Sequence, residues 1–311
     1  MEEVDCAVSG KAVDMSWACC ASCGIAEVDD IKLMTCTACK LVRYCSVACQ
    51  KHHRPQHKRA CKKRMAELRD DLLFAQPESS CYGDCPICVL PLPLDERKHF
   101  VMTCCCKVVC DGCNYADKLR QRQLNLNGPV KCPFCRHPLP TTRAESNAGI
   151  VRRIQANDPV AMRAMGGVGL SEGDYTKACQ YFSKAAALGD AISHHHLSSR
   201  YSKGQGVEKD EKKAIYHWEE AAILGHPKAR FNLGVIEWNC GSEERAVKHF
   251  IIAANLGDDK AVKMLKNYYE WGMLSKDDYA AALRAHQAAV DETKSPRREA
   301  ADAEPEEDIW S

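Results

Sequence analysis

The sequence has almost no surplus of charge of either sign. Its 43 Lys and Arg residues meet 42 Asp and Glu residues, a net charge of +1, so no global field draws the chain to nucleic acid or to a membrane surface. It also lacks any apolar run near the ~20 residues that a helix needs to cross a bilayer, and no membrane span is expected. The opening Met1-Glu2-Glu3-Val4-Asp5 has no apolar stretch of the kind a secretory leader carries. An intracellular setting, cytoplasmic or nuclear, is therefore expected. No Ser-His-Asp constellation, phosphate loop or paired-acid site stands out, so no residue is a candidate for covalent catalysis. The neighbouring carboxylates Glu219-Glu220 and Glu243-Glu244 fall at helical surface positions.

What the sequence has in excess is cysteine. Of its 21 cysteines nineteen lie within the first 135 residues, and only Cys179 and Cys240 follow. A disulfide framework belongs to oxidising compartments, to which nothing directs this chain. The cysteines come in pairs two residues apart, the spacing that lets two thiolates grip one tetrahedral zinc ion. Zinc is the expected cofactor, and sixteen ligands in four sets predict four ions.

In the first cluster Cys20 and Cys23 form one pair and Cys36 and Cys39 another. Cys45 with Cys49, and His57 with Cys61, are one helical turn apart, which puts each pair on one helix face. Eight ligands suffice for two four-coordinate sites in a segment too small to fold on apolar surface alone. Cys19 adjoins Cys20, but the spacing favours Cys20. These residues, above all Arg43-Tyr44-Cys45-Ser46-Val47-Ala48-Cys49-Gln50 leading into His57-Lys58 and Cys61, resemble the MYND zinc finger. The resemblance implies that Cys20, Cys23, Cys45 and Cys49 hold one zinc and Cys36, Cys39, His57 and Cys61 the other. MYND modules commonly bind proline-containing peptides through a Gln and a Trp. Gln50 stands at the first position, but Arg54 replaces the Trp. The run from Lys51 to Arg64 holds seven Lys or Arg residues. It reads as a solvated helix face rather than a nucleic-acid patch, and His52 and His53 read as surface residues.

The second cluster opens with Cys85-Pro86-Ile87-Cys88, continues through Cys104-Cys105-Cys106 and Cys110-Asp111-Gly112-Cys113, and closes with Cys132-Pro133-Phe134-Cys135-Arg136. Two of the three central thiolates complete a set of eight. Cys104 with Cys106 is the easier geometry and Cys104 with Cys105 demands a tight kink; spacing does not choose between them. The order resembles the RING finger in an all-cysteine variant. That resemblance implies one zinc on Cys85, Cys88, Cys110 and Cys113 and another on Cys132, Cys135 and two of the central three. It also implies a ubiquitin ligase that positions a charged ubiquitin-conjugating enzyme, with Ile87, Pro133 and Arg136 as the contact residues. The aromatic residue usual on the intervening helix is not obvious within Asn114 to Asn125. The rival expectation is a non-catalytic adaptor.

The second half is repetitive. Ala185-Ala186-Ala187-Leu188-Gly189, Ala221-Ala222-Ile223-Leu224-Gly225 and Ala253-Ala254-Asn255-Leu256-Gly257 are copies of one pattern. Ala178, Ala214, Ala246 and Ala282 share a register with Phe182, Trp218, Phe250 and His286 four residues on. A preceding helix aligns Met165, Leu197, Leu233 and Leu265. Each unit is a helix pair ending in a glycine cap, and the period predicts an α-solenoid. Gly204-Gln205-Gly206-Val207 and Asn232-Leu233-Gly234 make it resemble Sel-one-like repeats, relatives of the tetratricopeptide class, which implies protein substrates or peptides as partners. His194-His195-His196 reads as surface, since successive helical positions point apart.

The expected fold is thus two small cross-brace zinc modules followed by an all-α helix-pair solenoid. A leader covers 1–19, the first module 20–61, a helical extension and linker 62–84, and the second module 85–136. A linker at 137–154, the solenoid at 155–290 and a disordered tail at 291–311 complete the chain. Chelation is expected to unfold the first 136 residues and spare the solenoid.

Overall fold

The computed structural model describes residues 19–28, 31–124 and 128–303. Most of the expected leader and the acidic residues from Glu304 lie outside the described residues. The chain divides into two compact units, Met1–Leu73 and Phe74–Ser311.

In the first unit β1 (Met34–Thr35) pairs antiparallel with β2 (Arg43–Tyr44), and one long helix, α1 (Val47–Leu73), follows. The buried cluster is Cys20, Leu33, Cys36, Cys39 and Tyr44. Most of that cluster is thiol, so hydrophobic burial alone supplies little cohesion. The extension expected from Lys62 is the second half of α1 itself.

The second unit begins with residues 74–84, which are not a loose linker. The Phe74 ring lies 4.7 Å from that of His249 under the cations of Arg245 and Lys248. Arg230 Nη2 donates to Ala75 O over 3.3 Å, and Cys81 N donates to Gly225 O over 3.0 Å. Composition marked this stretch as a linker, but its backbone groups find partners on the helices. A hairpin follows, β3 (His99–Met102) with β4 (Lys107–Cys110), then α2 (Asp111–Gln123).

The helices after it are α3 (Arg143–Gln155), α4 (Pro159–Ser171), α5 (Tyr175–Ala187), α6 (Ala191–Lys203) and α7 (Glu211–Ile223). They continue with α8 (Pro227–Asn239), α9 (Glu243–Asn255), α10 (Asp259–Glu270), α11 (Lys276–Glu292) and α12 (Pro296–Asp302). Along α4 to α11 the expected registers are buried: Met165, Leu197, Leu233 and Leu265, and Ala178, Ala214, Ala246 and Ala282. Helices touch where the side chain is small: a Cβ on Gly166 would lie 2.5 Å from the Phe182 ring. The repeat ends are tight because Gly189, Gly225 and Gly257 take φ of 85°, 82° and 90°. The next residue, Asp190, His226 or Asp258, then caps the following helix with its side chain.

Three expectations need correction. The stretch 137–154 is mostly α3, which buries Gly149 and Ile150. The tail is not disordered through Asp302, because α12 packs on the second cysteine module and buries Arg298. His194 is buried and His195 and His196 are half-buried, since three consecutive residues of a helix packed on both sides all meet neighbours.

Candidate metal centres

Four of the cysteine pairs are each set by one backbone turn. Gly24 N donates to Cys20 O, Lys40 N to Cys36 O, Val89 N to Cys85 O and Arg136 N to Cys132 O, over 2.8–3.0 Å. The residue closing each turn is left-handed, with φ of 76°, 56°, 57° and 61°. The turn aims both sulfurs to one side. Only one of the four closing residues is glycine, so the others hold a conformation that L-residues disfavour by about 1–2 kcal/mol.

The side chains then gather into four sets: Cys20, Cys23, Cys45 and Cys49; Cys36, Cys39, His57 and Cys61; Cys85, Cys88, Cys110 and Cys113; and Cys104, Cys105, Cys132 and Cys135. Within each set the donor atoms lie within 4.8 Å of one another. The Sγ pairs Cys23–Cys45, Cys88–Cys110 and Cys104–Cys135 are 3.5, 3.8 and 3.4 Å apart. A tetrahedron with metal–sulfur bonds of 2.3 Å has edges of about 3.8 Å, whereas a disulfide needs about 2.05 Å. None of the described cysteines is in a disulfide. The donor sets fit zinc. Both modules interleave their pairs, so one zinc would tie a module's start to its middle and the other its middle to its end. The Cys110 side chain first, then the Cys110 amide that donates to Cys85 Sγ over 3.5 Å, bring the Cys85 thiol down to about 4 against its burial. Around the first module burial, followed by the charges of Cys36 and Cys39, pushes the Tyr44 phenol up to about 12.

Residues 20–61 match the family model described as the MYND finger. They form a MYND finger. Residues 160–190, 191–226 and 227–258 match the Sel1 repeat, and the helix pairs are a Sel1 solenoid. The chain is similar to DAP3-binding cell death enhancer 1 of Mus musculus, with 25% identity over 195 residues, and to that of Rattus norvegicus, with 24%. The match takes in 50% of this chain and 38% of each relative, so the chain spans well under half their length. Among solved structures it is similar to a Sel1 repeat protein from Oxalobacter formigenes (24% identity, TM-score 0.41, 62% of this chain and 81% of that one). It is also similar to c5321 of uropathogenic Escherichia coli, a protective antigen with an SLR fold (21% identity, TM-score 0.38, 64% of this chain and 41% of that one).

Beside the second tetrad of the MYND finger lies a groove of about 440 Å³. Lys51, Arg54, Lys58 and Lys62, spaced along one face of α1, line it with Gln50, and no acidic side chain does. Val47 and Met65 stand exposed at its ends. The basic run read as a plain solvated face therefore borders a concavity.

In the second module the three expected contact residues differ in access. Pro133 is buried, Ile87 is half-buried against the cysteine core, and Arg136 is half-exposed. Arg136 Nη1 donates to Asp117 Oδ1 on α2 over 2.7 Å. The aromatic side chain that α2 carries is Tyr115, which is half-buried. Among the described residues no helix is long and apolar enough to cross a membrane.

The histidines read as surface belong to a buried layer. The rings of His195 and His226 stack at 4.3 Å, and Tyr82 lies 5.9 Å from His226. Burial pushes His195 down to about 4 and His226 well below its ordinary value. Sequence pattern gave no sign of this layer, because both sides of α6 are covered.

Proposed function

We propose that the chain is a zinc-stabilised adaptor that holds protein partners along its Sel1 solenoid. One observation carries the reading: the second zinc module shares its core with the repeats. Ile192 of α6 lies among Tyr82, Cys85, Leu92, Met102 and Val109, and Cys106 lies with Ile150, Ala161 and Met165. Metal thereby stiffens the repeat surface, which is what a scaffold requires. The name of the mammalian relatives describes a protein that binds another protein, in keeping with this role. The four cations of the MYND groove suit an acidic segment of a partner better than a neutral proline-rich one. Photo-crosslinkers placed at the exposed Tyr216, Tyr269 and Trp271 of the full chain test the solenoid's part. Partners captured there support it, and capture only from the MYND groove would make the array a spacer.

A second reading is a RING-type ubiquitin ligase in which the solenoid selects substrates. It is favoured by the interleaved tetrads around a hairpin and helix, and by Arg136 standing half-exposed directly after the last ligand. Its pairing with Asp117 weighs the other way, because a guanidinium engaged on α2 of the same module is not offered to a partner. Ubiquitin discharge from preloaded conjugating enzymes separates the two readings.

A further inference from the structure

The end of the solenoid returns to the second zinc module. Ser295 caps α12 by accepting from Arg298 N, and the helix lies across the first turn of α2. The approach is backbone to backbone: a Cβ on Gly112 would fall 2.7 Å from Arg298 N and 2.9 Å from Arg297 O. Gly112 has no unusual φ, so its glycine is required by that contact alone. Lys98 Nζ holds the far end of the helix through Asp302 at 2.7 Å.

Arg298 is 4% exposed. Its Nη1 donates to Pro91 O over 2.7 Å and to Thr293 O over 2.6 Å, and its Nη2 donates to Leu90 O over 3.3 Å. The same Nη2 lies 3.6 Å from Cys88 Sγ, a donor distance for a thiolate acceptor. A buried guanidinium thus grips the carbonyls flanking one cysteine turn and reaches a ligand sulfur of that turn.

We propose that α12 is a built-in outer shell for the zinc held by Cys85, Cys88, Cys110 and Cys113, with Arg298 as its positioning residue. Four thiolates on a divalent ion leave a net charge of −2, and a buried cation within hydrogen-bond reach offsets part of it. By fixing the carbonyls of Leu90 and Pro91, the fork also holds the turn that aims Cys85 and Cys88. Outer partners of this kind change metal affinity about 10–100-fold. The chain's last described helix and the Cys85–Cys88 pair are then one unit, although more than 200 residues separate Cys88 from Arg298.

The test uses the full-length, zinc-loaded chain and follows transfer of zinc to a chromogenic chelator. Arg298→Gln removes the charge, Arg298→Lys keeps the charge without the fork, and Gly112→Ala lifts the helix and carries the guanidinium off the turn while changing neither a ligand nor Arg298 itself. One zinc equivalent of the four is expected to leave about 10-fold faster in Arg298→Gln and Gly112→Ala, with an intermediate rate in Arg298→Lys. With cobalt in place of zinc, the thiolate-to-metal charge-transfer band of one site should shift in Arg298→Gln. Wild-type release and unshifted bands in all variants would overturn the proposal. So would uniform acceleration of all four ions with a general loss of fold, which makes α12 a plain structural brace.

Discussion

The Cys106 amide donates to the Met102 carbonyl over 2.6 Å, and Cys106 takes φ of 54°, the same turn by which Arg136 closes on Cys132. Met102 stands where the first cysteine of a pair stands elsewhere, Cys105 where the second stands, and Cys106 occupies the closing position. A closing residue points away from the metal. Cys106 is accordingly 3% exposed among Ile150, Ala161 and Met165, while Cys104 and Cys105 join Cys132 and Cys135. Cys105→Ser is expected to lower zinc content from four equivalents to three. Cys106→Ala should keep four and lower stability by about 1 kcal/mol through lost packing. Elemental analysis with thermal unfolding checks both, and a loss of zinc in Cys106→Ala would put the ligand at Cys106.

Chelation bears on the shared core. If the second module were a separate bead, removing zinc would spare the helices. Because Ile192 and Cys106 join module and repeats, the Sel1 helices should melt at a lower temperature after chelation, by roughly 5 °C or more. Far-UV circular dichroism with and without chelator reads this. An unchanged helical transition would mean the two cores are energetically separate.

How much of this was legible in the sequence follows from the kind of force involved. Ligand spacing and helix register are local, so Cys20 to Cys61, the flanking pairs of the second cluster and the Ala178, Ala214, Ala246 and Ala282 series were readable. The central choice among Cys104, Cys105 and Cys106 depended on a turn whose first residue is methionine, and no cysteine pattern marks that. Arg298, Phe74 and the His195–His226 stack act across long chain separations. A polar tail and a polar linker read as solvated until the surfaces that bury them are known. Gly112 was visible as a residue, but its reason is the backbone of α12.

The groove of the MYND finger predicts a charge preference. Arg54→Glu and Lys58→Glu should each weaken an acidic fluorescent peptide about 10-fold at low salt, and raising the salt should weaken wild-type binding as well. Neither residue is a ligand, so zinc content should hold. Fluorescence anisotropy decides it. Equal binding of a neutral proline-rich peptide, or indifference to charge reversal, would remove the acidic preference.

The ligase reading makes its own demand on Arg136. Ile87→Ala should weaken docking of a conjugating enzyme through lost apolar burial. Arg136→Ala should slow ubiquitin discharge with binding nearly unchanged, since a contact made only in the reactive state alters rate. The Asp117 pairing adds a third variant: Asp117→Asn releases the fork and should speed discharge about two- to five-fold, roughly 0.5–1 kcal/mol of lost ion pairing. Absence of discharge across a broad panel would leave the adaptor reading.

The buried histidine layer gives the second unit an acid-sensitive core. His195 is pushed down to about 4 by burial and also faces the charges of His196, Lys228 and Glu96, while its ring stacks on His226. An unfolded histidine titrates near 6.5. Between those values the unfolded chain binds a proton that the folded chain refuses, so stability present above about pH 6.5 is lost as the pH falls toward 4. From pH 7.5 to 5.5 the loss from His195 alone is about 1 kcal/mol, roughly 3 °C in melting temperature for a unit of this size. His195→Phe keeps a ring against His226 and removes the titration. In zinc-saturated buffer the variant should therefore lose about 3 °C less than wild type over that interval. The comparison separates the histidine from acid effects on the zinc thiolates, which both proteins share. Parallel loss in the two would show that acid acts on the metal centres and not on this layer.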